Sequence, residues 1–332
     1  MGRHAISCHR VTIVSAEGPI LDDILSATFD LWHEGLSRDA YPRYYRGQLG
    51  TAWARAHLRR WALVDGADVL ASAKEYAFDA VLDGRDIRVF GLGAVFTQPR
   101  HRGHGHARVL IDRLLARAAD ERFDLALLFS EIGADYYAHL GFMPIPTVDL
   151  ELRVREDARR GAPATLVRFG DDRDLADLAS MGESRAAPFR FRLRRTRDLI
   201  QYAIAKKRLL AGLSAPGERG VQFFVAEEGG SAVAYVVLST HGPMWIVEEA
   251  GDRDPSGARL GAILQTLVAR DPTEQRPRIV AWLPDGLRPP QVDVVGETPT
   301  HDVMMIKPLS AKGTPAGALA RGDVFYWRSD LF

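Results

Sequence analysis

The apolar positions along the first half of the chain change period in a definite order. Residues 11–14, Val-Thr-Ile-Val, have the character of a short strand. Residues 20–36 then place Ile20, Ile24, Leu25, Thr28, Leu31 and Trp32 at helical spacing. A polar, aromatic stretch with Tyr41, Tyr44 and Tyr45 follows, and a second helical stretch runs through Trp53 and Leu58. Three strand-like runs come next: residues 61–64, 69–78 and 87–96. Asp65-Gly66 and Asp83-Gly84 separate them, and Asp-Gly between strands favours a tight hairpin because both residues accept positive φ. The expected result is an antiparallel meander, ended by Pro99. From Ala107 the period returns to 3.6. Ala107, Leu110, Ile111, Leu114, Leu115 and Ala118 form one stripe, and Arg108, Asp112, Arg113, Arg117 and Asp120 cover the other face. Residues 125–129 are wholly apolar, as in a strand buried on both faces. A short helix over residues 134–140 stops at Gly141. Residues 148–154 are expected to be the last strand of this half.

Residues 155–164, Arg-Glu-Asp-Ala-Arg-Arg-Gly-Ala-Pro-Ala, have the composition of a linker. Beyond them the same order returns faintly. Residues 166–168 resemble a strand and residues 171–181 a helix. Residues 223–227 and 232–238 flank Glu228-Gly229-Gly230 as a hairpin. A strand at 245–247, a helix at 260–269 and a strand at 279–283 follow, and residues 303–306 are expected to close the second sheet. The expected domains are residues 1–154, a diverged second copy at 165–309, and a tail at 310–332. No short-period repeat or low-complexity tract interrupts this plan.

The chemistry concentrates between the third strand of the meander and the amphipathic helix. There the sequence reads Arg100-His101-Arg102-Gly103-His104-Gly105-His106-Ala107. Two glycines let the backbone turn tightly beside a ligand. The loop opens onto a helix N-terminus, where unpaired amides and the helix dipole favour a phosphate. It is not a P-loop, because neither Lys-Ser nor Lys-Thr follows. It is not a dinucleotide fingerprint either, because the glycine spacing differs and the preceding strands are antiparallel.

The loop resembles the [Gln/Arg]-x-x-Gly-x-[Gly/Ala] motif of the GNAT acetyltransferase superfamily, with Arg100, Gly103 and Gly105 at the motif positions. Tyr137-Ala138-His139-Leu140-Gly141-Phe142 resembles that family's Tyr-x-x-x-Gly-Phe segment, at the usual distance. The match covers roughly residues 10–150. The resemblance implies an α+β fold, with a mixed, mostly antiparallel sheet flanked by helices, followed here by a degenerate GNAT-like copy. It implies acetyl-CoA as co-substrate. The pyrophosphate would lie on Arg100, Arg102, Gly103, His104, Gly105, His106 and Ala107, and the pantetheine arm along Val95, Phe96 and Thr97 like an added strand. It also implies that Tyr137 protonates the departing thiolate.

The implied reaction is acetyl transfer to a primary amine of a small molecule or peptide by direct attack. A non-catalytic acyl-CoA-binding sensor or scaffold is the other reading. A lysine-like amine must lose a proton, at about 4–5 kcal/mol near neutral pH, so a base is needed. Three candidates stand open: Glu75 beside the cofactor strand, Glu131 after the buried strand, and the main-chain carboxyl group of Phe332. The last comes from a resemblance to tandem-GNAT aminoglycoside acetyltransferases of the enhanced-intracellular-survival type, whose chain terminus reaches the active site. The two-lobed plan also resembles fungal lysine acetyltransferases, through the Tyr41–Tyr45 region, Trp61-Ala62-Leu63-Val64 and Ser72-Ala73-Lys74-Glu75. Lysine-like amines, polyamines and aminoglycosides are thus the candidate acceptors. Glu248, Glu249, Asp252 and Asp254 are acids that would attract a cationic amine. In the second half, Gly251-Asp252-Arg253-Asp254-Pro255-Ser256-Gly257-Ala258 replaces the phosphate loop, so that lobe is expected to form a cleft wall without binding CoA.

Composition narrows the field little further. Lys plus Arg and Asp plus Glu both total 43 in 332 residues, which gives no electrostatic reason to expect nucleic acid or an anionic membrane as partner. No apolar run reaches the roughly 18 residues of a membrane span, and residues 1–15 lack the apolar core of a secretory signal. The one cysteine, Cys8, excludes an intrachain disulfide and suits a reducing cytoplasm. His101, His104 and His106 crowd one turn without a carboxylate or thiol beside them in sequence, so no metal is expected. The basic run Arg190, Arg192, Arg194, Arg195 and Arg197 reads as a solvated face rather than an anion site. Assembly into a homo-oligomer is compatible with all of this.

Overall fold

The computed structural model describes residues 11–155, 166–270, 272 and 275–332. Cys8 and nearly all of the linker expected at 155–164 lie outside the described residues.

A nine-stranded and a seven-stranded sheet form the two cores. The first half contributes β1 (Thr12–Ser15), α1 (Gly18–Trp32), α2 (Ala40–Gln48), α3 (Ala52–His57), β2 (Leu58–Asp65), β3 (Asp68–Leu82), β4 (Arg85–Thr97), α4 (His106–Asp120), β5 (Leu125–Ser130), α5 (Asp135–Ala138), β6 (Met143–Ile145) and β7 (Val148–Val154). The second contributes β8 (Leu166–Phe169), α6 (Leu175–Ala186), β9 (Phe191–Leu193), α7 (Arg197–Leu213), β10 (Arg219–Glu228), β11 (Ser231–His241), β12 (Met244–Asp252), α8 (Ala258–Val268), β13 (Arg278–Ala281), β14 (Val292–Pro299), β15 (Val303–Pro308) and β16 (Val324–Phe325). Both sheets are mixed and mostly antiparallel, with helices packed on them, so the α+β expectation holds.

The strand order corrects two expectations. The first sheet runs β1-β2-β3-β4-β5-β15-β6, and the second runs β14-β7-β13-β12-β11-β10-β8. Residues 148–154 therefore do not end the first sheet. They lie in the second, between β13 and β14. Residues 303–306 do not close the second sheet either, because β15 inserts between β5 and β6 of the first. Each lobe gives one central strand to the other. Hydrophobic alternation marks a strand but not its neighbours, so it cannot reveal such an exchange. β9 makes a further crossing, pairing with the end of β3 through Ala80↔Leu193 and Leu82↔Phe191 and with β16 on its other side.

The layers follow from the side-chain periods. The α4 stripe Leu110, Ile111, Leu114, Leu115 and Ala118 is fully buried against Leu63, Phe90, Ala126, Leu128 and Met305. The opposite face of the first sheet, with Tyr76, Phe78, Val89 and Leu125, packs on Trp53 and on Leu199 and Tyr202 of α7. Thus α7, a second-half helix that the sequence pattern did not bring out, closes the underside of the first lobe. α2 likewise forms where only a polar, aromatic stretch was expected, because Tyr41 and Tyr45 bury against Leu25, Leu36 and Leu210.

The basic run is corrected as well. Arg190 donates to Asp83 at 2.7 Å and to the carbonyls of Ala316 and Ala318, and Arg194 pairs with Asp86 and Glu183. These arginines join the lobes instead of forming a solvated face.

Candidate active site

β4 and β5 run parallel and pair only at Val89↔Leu125, Phe90↔Ala126 and Gly91↔Leu127. Beyond Gly91 the two strands part. β4 stays with β3 on its other edge, but the register shifts from Ser72↔Phe96 to Lys74↔Gly93, so β4 bulges at Ala94 and Val95. Ala94 sits at φ 47°, a left-handed conformation that costs an L-residue about 1–2 kcal/mol. A bulge of this kind re-aims backbone groups. The parted strands open into a cavity of about 470 Å³ lined by Leu92, Gly93, Ala94, Val95, Glu131 and Tyr137, among others.

The glycine loop follows β4 through a 3-10 turn at Pro99–His101. Gly103 and Gly105 have φ of 80° and 77°, and a Cβ on either would meet no atom within 4 Å. The chain therefore needs glycine for its backbone path, and the space beside that path is open. Gly105 is the N-cap of α4, whose first turn holds no acid. Val109 is the first α4 residue whose amide reaches back, to Gly105 O at 3.1 Å. The preceding turn of amides and the helix dipole thus face open space, a cradle suited to a phosphate oxyanion. The fit extends to His106 and Ala107, which begin the helix, but not to every basic side chain. Arg100 pairs with Asp68 at the start of β3, and His101 joins the same carboxylate at 2.9 Å. Arg102 reaches back to Thr97 O at 3.4 Å, and His104 Nδ1 lies 2.9 Å from Arg102 O. Arg100 therefore fastens the loop to β3. Gly105→Val is expected to remove the thermal stabilisation by acetyl-CoA while costing the free protein only about 1–2 kcal/mol, since no neighbour is displaced. Melting curves with and without acetyl-CoA check this.

Among the described residues no group of three His, Cys, Asp or Glu side chains is arranged to hold a metal, and no helix is long and apolar enough to cross a membrane.

The three base candidates separate in space. Glu75 is buried, but its carboxylate accepts from Trp61 Nε1 at 2.6 Å and pairs with Arg117 of α4, whose guanidinium stacks 3.9 Å from the Trp61 ring. It points away from the cavity and ties β3 to α4. Glu131 lines the cavity, and partial burial together with the nearby Asp302 and Glu34 raises its carboxyl above the usual range. Phe332 also lines it. Its ring packs 4.6 Å from Tyr76 and 5.4 Å from Phe78, centroid to centroid. A Cβ on Gly93 would lie 3.2 Å from the Phe332 main-chain oxygen, so the glycine permits this close approach. Tyr137, on α5, is 8% exposed and lines the same cavity. Burial, with Tyr136 and Glu131 beside it, pushes its phenol up to about 12, which keeps it protonated at neutral pH. Val95 lines the cavity, whereas Phe96 and Thr97 continue β4 toward the loop against Ser72 and Ala71.

The structure adds six cations that sequence reasoning did not single out as site residues: Arg60, Lys74, Lys206, Lys207, Arg219 and Arg328 all line the cavity. The signal for Lys74 is its parity with Tyr76 and Phe78 on an otherwise apolar strand face.

The second lobe repeats the geometry and fills it. Gly257, at φ 72°, caps α8 as Gly105 caps α4. Here the Asp252 carboxylate accepts from the amides of Leu260 at 2.9 Å and Asp254 at 2.8 Å, and Asp254 accepts from Ser256 N at 2.9 Å. The chain's own carboxylate thus occupies the place where a phosphate would sit. The acids expected to attract an amine are likewise engaged. Glu249 bonds Arg195, and Glu248 pairs with Lys207 at 2.9 Å. Of these, Glu248 borders the cavity.

The tail binds both lobes. Arg195, buried between them, meets Glu249 at 2.5 Å and Asp330 at 2.9 Å. Ser329 donates to Glu249 at 2.8 Å, and Arg328 bonds Asp149 of β7 at 2.5 Å. These contacts seat residues 328–330 beside β12 and project Phe332 into the cavity, which residues of both lobes line.

Residues 22–145 match the family model described as "Acetyltransferase (GNAT) domain". No curated protein matches the sequence. Among solved structures, a conserved protein of unknown function from Enterococcus faecalis V583, described as a probable N-acyltransferase, superposes with TM-score 0.67 at 12% identity, covering 90% of this chain and 73% of that one. A GCN5-related N-acetyltransferase from Kribbella flavida gives 0.66 at 18% identity, covering 90% and 70%. Eis1 from Mycobacterium abscessus gives 0.51 at 17%, covering 82% and 72%. At such identities the likeness is one of fold. Residues 22–145 match a GNAT acetyltransferase domain, and the chain as a whole shares the fold of these two-lobed, GNAT-like structures.

Proposed function

We propose that the first lobe transfers the acetyl group of acetyl-CoA to a primary amine of a small molecule, and that each chain holds one acetyl-CoA site. The observation that carries this reading is the meeting, in one cavity, of the open β4 edge at Val95, the protonated Tyr137 phenol and the acid Glu131. Acetyl-CoA supplies the activated thioester. Residues 103–107 hold its pyrophosphate, and the backbone of the Ala94–Val95 bulge orients the thioester and polarises its carbonyl. The amine nitrogen bonds to the acetyl carbon as the carbon–sulfur bond breaks, the base takes the proton the amine loses, and Tyr137 Oη donates a hydrogen bond to the departing sulfur. A phenol near 12 is a weaker acid than a thiol, so Tyr137 acts by sharing its proton as charge collects on sulfur. The base we assign is Glu131, whose carboxyl group lines the cavity and is raised by partial burial beside Asp302 and Glu34. The second lobe, its phosphate cradle filled by Asp252, serves as a wall.

Thiol release from acetyl-CoA over a panel of amino acids, polyamines, aminoglycosides and peptides tests the reading. Tyr137→Phe is expected to lower kcat about 100-fold with KM for acetyl-CoA unchanged. Glu131→Gln is expected to lower kcat about 100-fold, and an unchanged kcat would remove Glu131 as the base. Thermal stabilisation by acetyl-CoA without thiol release on any amine would favour the non-catalytic sensor.

A further inference from the structure

Arg60 and Lys74 stand directly opposite each other in the antiparallel β2–β3 ladder. Like charges at such a position repel, and natural sheets avoid them unless something else holds them there. Both side chains face the cavity. Arg60 is 3% exposed, and its Nε and Nη2 have no hydrogen-bond partner. Its described neighbours are phenols: it lies 5.6 Å from the Tyr45 ring, with Tyr41 and Tyr76 nearby. Lys74 lies 5.2 Å from the same ring, and the charges that act on it are the cations Arg60 and Lys206. Among the described residues no acid pairs with either. Burial without an anion holds Lys74 down to about 7 and lowers Arg60 as well. A buried guanidinium with two unmet donors is costly, and replacing such a charge by an apolar side chain is often stabilising. The fold bears this cost at one place, on the cavity wall beside the acyl-transfer machinery.

We propose that Arg60 and Lys74 form an anion subsite that takes the carboxylate of the acceptor, so that the substrate is an amino-acid-type amine carrying both groups. The cofactor's own phosphates do not reach this position. Lys74 pairs with Gly93, whereas the phosphate loop begins beyond Thr97, which pairs with Ala71, about 10 Å further along β3. A carboxylate on the two cations would satisfy the free Arg60 donors. With that end fixed, the amine end is left to approach Gly93, Val95 and Glu131. The same wall disfavours polyamines, which would bring only further positive charge to it.

This proposal rests on the acyl-transfer reading for its location, so the test measures binding apart from turnover. The full chain, saturated with CoA, is titrated calorimetrically with glycine, 4-aminobutyrate, 6-aminohexanoate and lysine. Each is compared with its decarboxylated counterpart: methylamine, propylamine, pentylamine and cadaverine. At least one carboxylate is expected to bind tenfold or more tighter than its counterpart, about the worth of a charged hydrogen bond. Arg60→Met and Lys74→Met are expected to abolish that difference. They are also expected to raise the melting temperature of the ligand-free protein, which a side chain retained for packing or pairing would not do. Equal affinity within every pair, or a lower melting temperature for Arg60→Met, overturns the subsite. Selective carboxylate binding without thiol release from acetyl-CoA leaves the subsite standing and counts against acyl transfer instead.

Discussion

Expressed apart, residues 1–155 and residues 166–332 are each expected to be insoluble or molten, whereas a chain cut within residues 156–165 after folding stays associated and active. The reason is the strand exchange. β15 brings Met304, Met305 and Ile306 into the centre of the first sheet, each 2% exposed or less. Burial of such a side chain contributes about 1.5–3 kcal/mol, so the three together contribute roughly 5–9 kcal/mol. That is comparable to the whole stability of a typical domain, about 5–15 kcal/mol. Without β15 the first sheet would also present an open edge at β5, a template for aggregation. The second lobe suffers the same loss, because β7 lies between β13 and β14 with Leu150 and Leu152 in the core. Gel filtration of the two separate pieces, and of a chain cleaved at a protease site placed within 156–165, checks both halves of this expectation. Folded, monodisperse separate pieces would show that the exchange is not obligatory.

Arg195→Met is expected to cost about 3–5 kcal/mol, the loss usual when one member of a buried ion cluster is removed. Arg195, Glu249 and Asp330 are all buried, and Arg195 is the cation bonded to both acids. Desolvation already raises the Asp330 carboxyl above its ordinary range, and the Arg195 guanidinium is the main group that opposes this. Removing it leaves two carboxylates facing each other in an apolar setting. The tail then has reason to leave β12, taking Leu331 and Phe332 with it. Acetyl transfer should fall accordingly, while acetyl-CoA binding at residues 103–107 is retained. Urea midpoints measure the stability and thiol release the activity. Arg195→Met combined with Glu249→Leu and Asp330→Leu should recover much of the stability, because the uncompensated charges go with the arginine. It should not recover turnover if the tail has lost its register. A single substitution that leaves stability within 1 kcal/mol of the parent would show that the cluster is not what holds the tail.

Much of the first lobe was legible from the chain alone, because its signals are local. The Asp-Gly turns, the α4 stripe and the two glycines of the phosphate loop each depend on neighbours a few residues away. For the same reason the Gly-Asp-Arg-Asp stretch betrayed the filled cradle of the second lobe, whose Asp252 reaches amides only two and eight residues on. The tertiary structure decided everything that depends on distant partners. It exchanged β7 and β15, since alternation fixes which side of a strand is apolar but not which sheet receives it. It turned Glu75 away from the cavity onto Trp61 and Arg117, and it turned Arg190 and Arg194 of the expected solvated face into bonds between lobes. It set Arg60 against Lys74 across a ladder, two cations separated by 14 positions in the chain and joined only by β2–β3 pairing. Glycines, turns and helix stripes are written in backbone conformation, which each segment settles for itself. Charge pairing and strand partnership are free energies of contact, which exist only once distant segments have met.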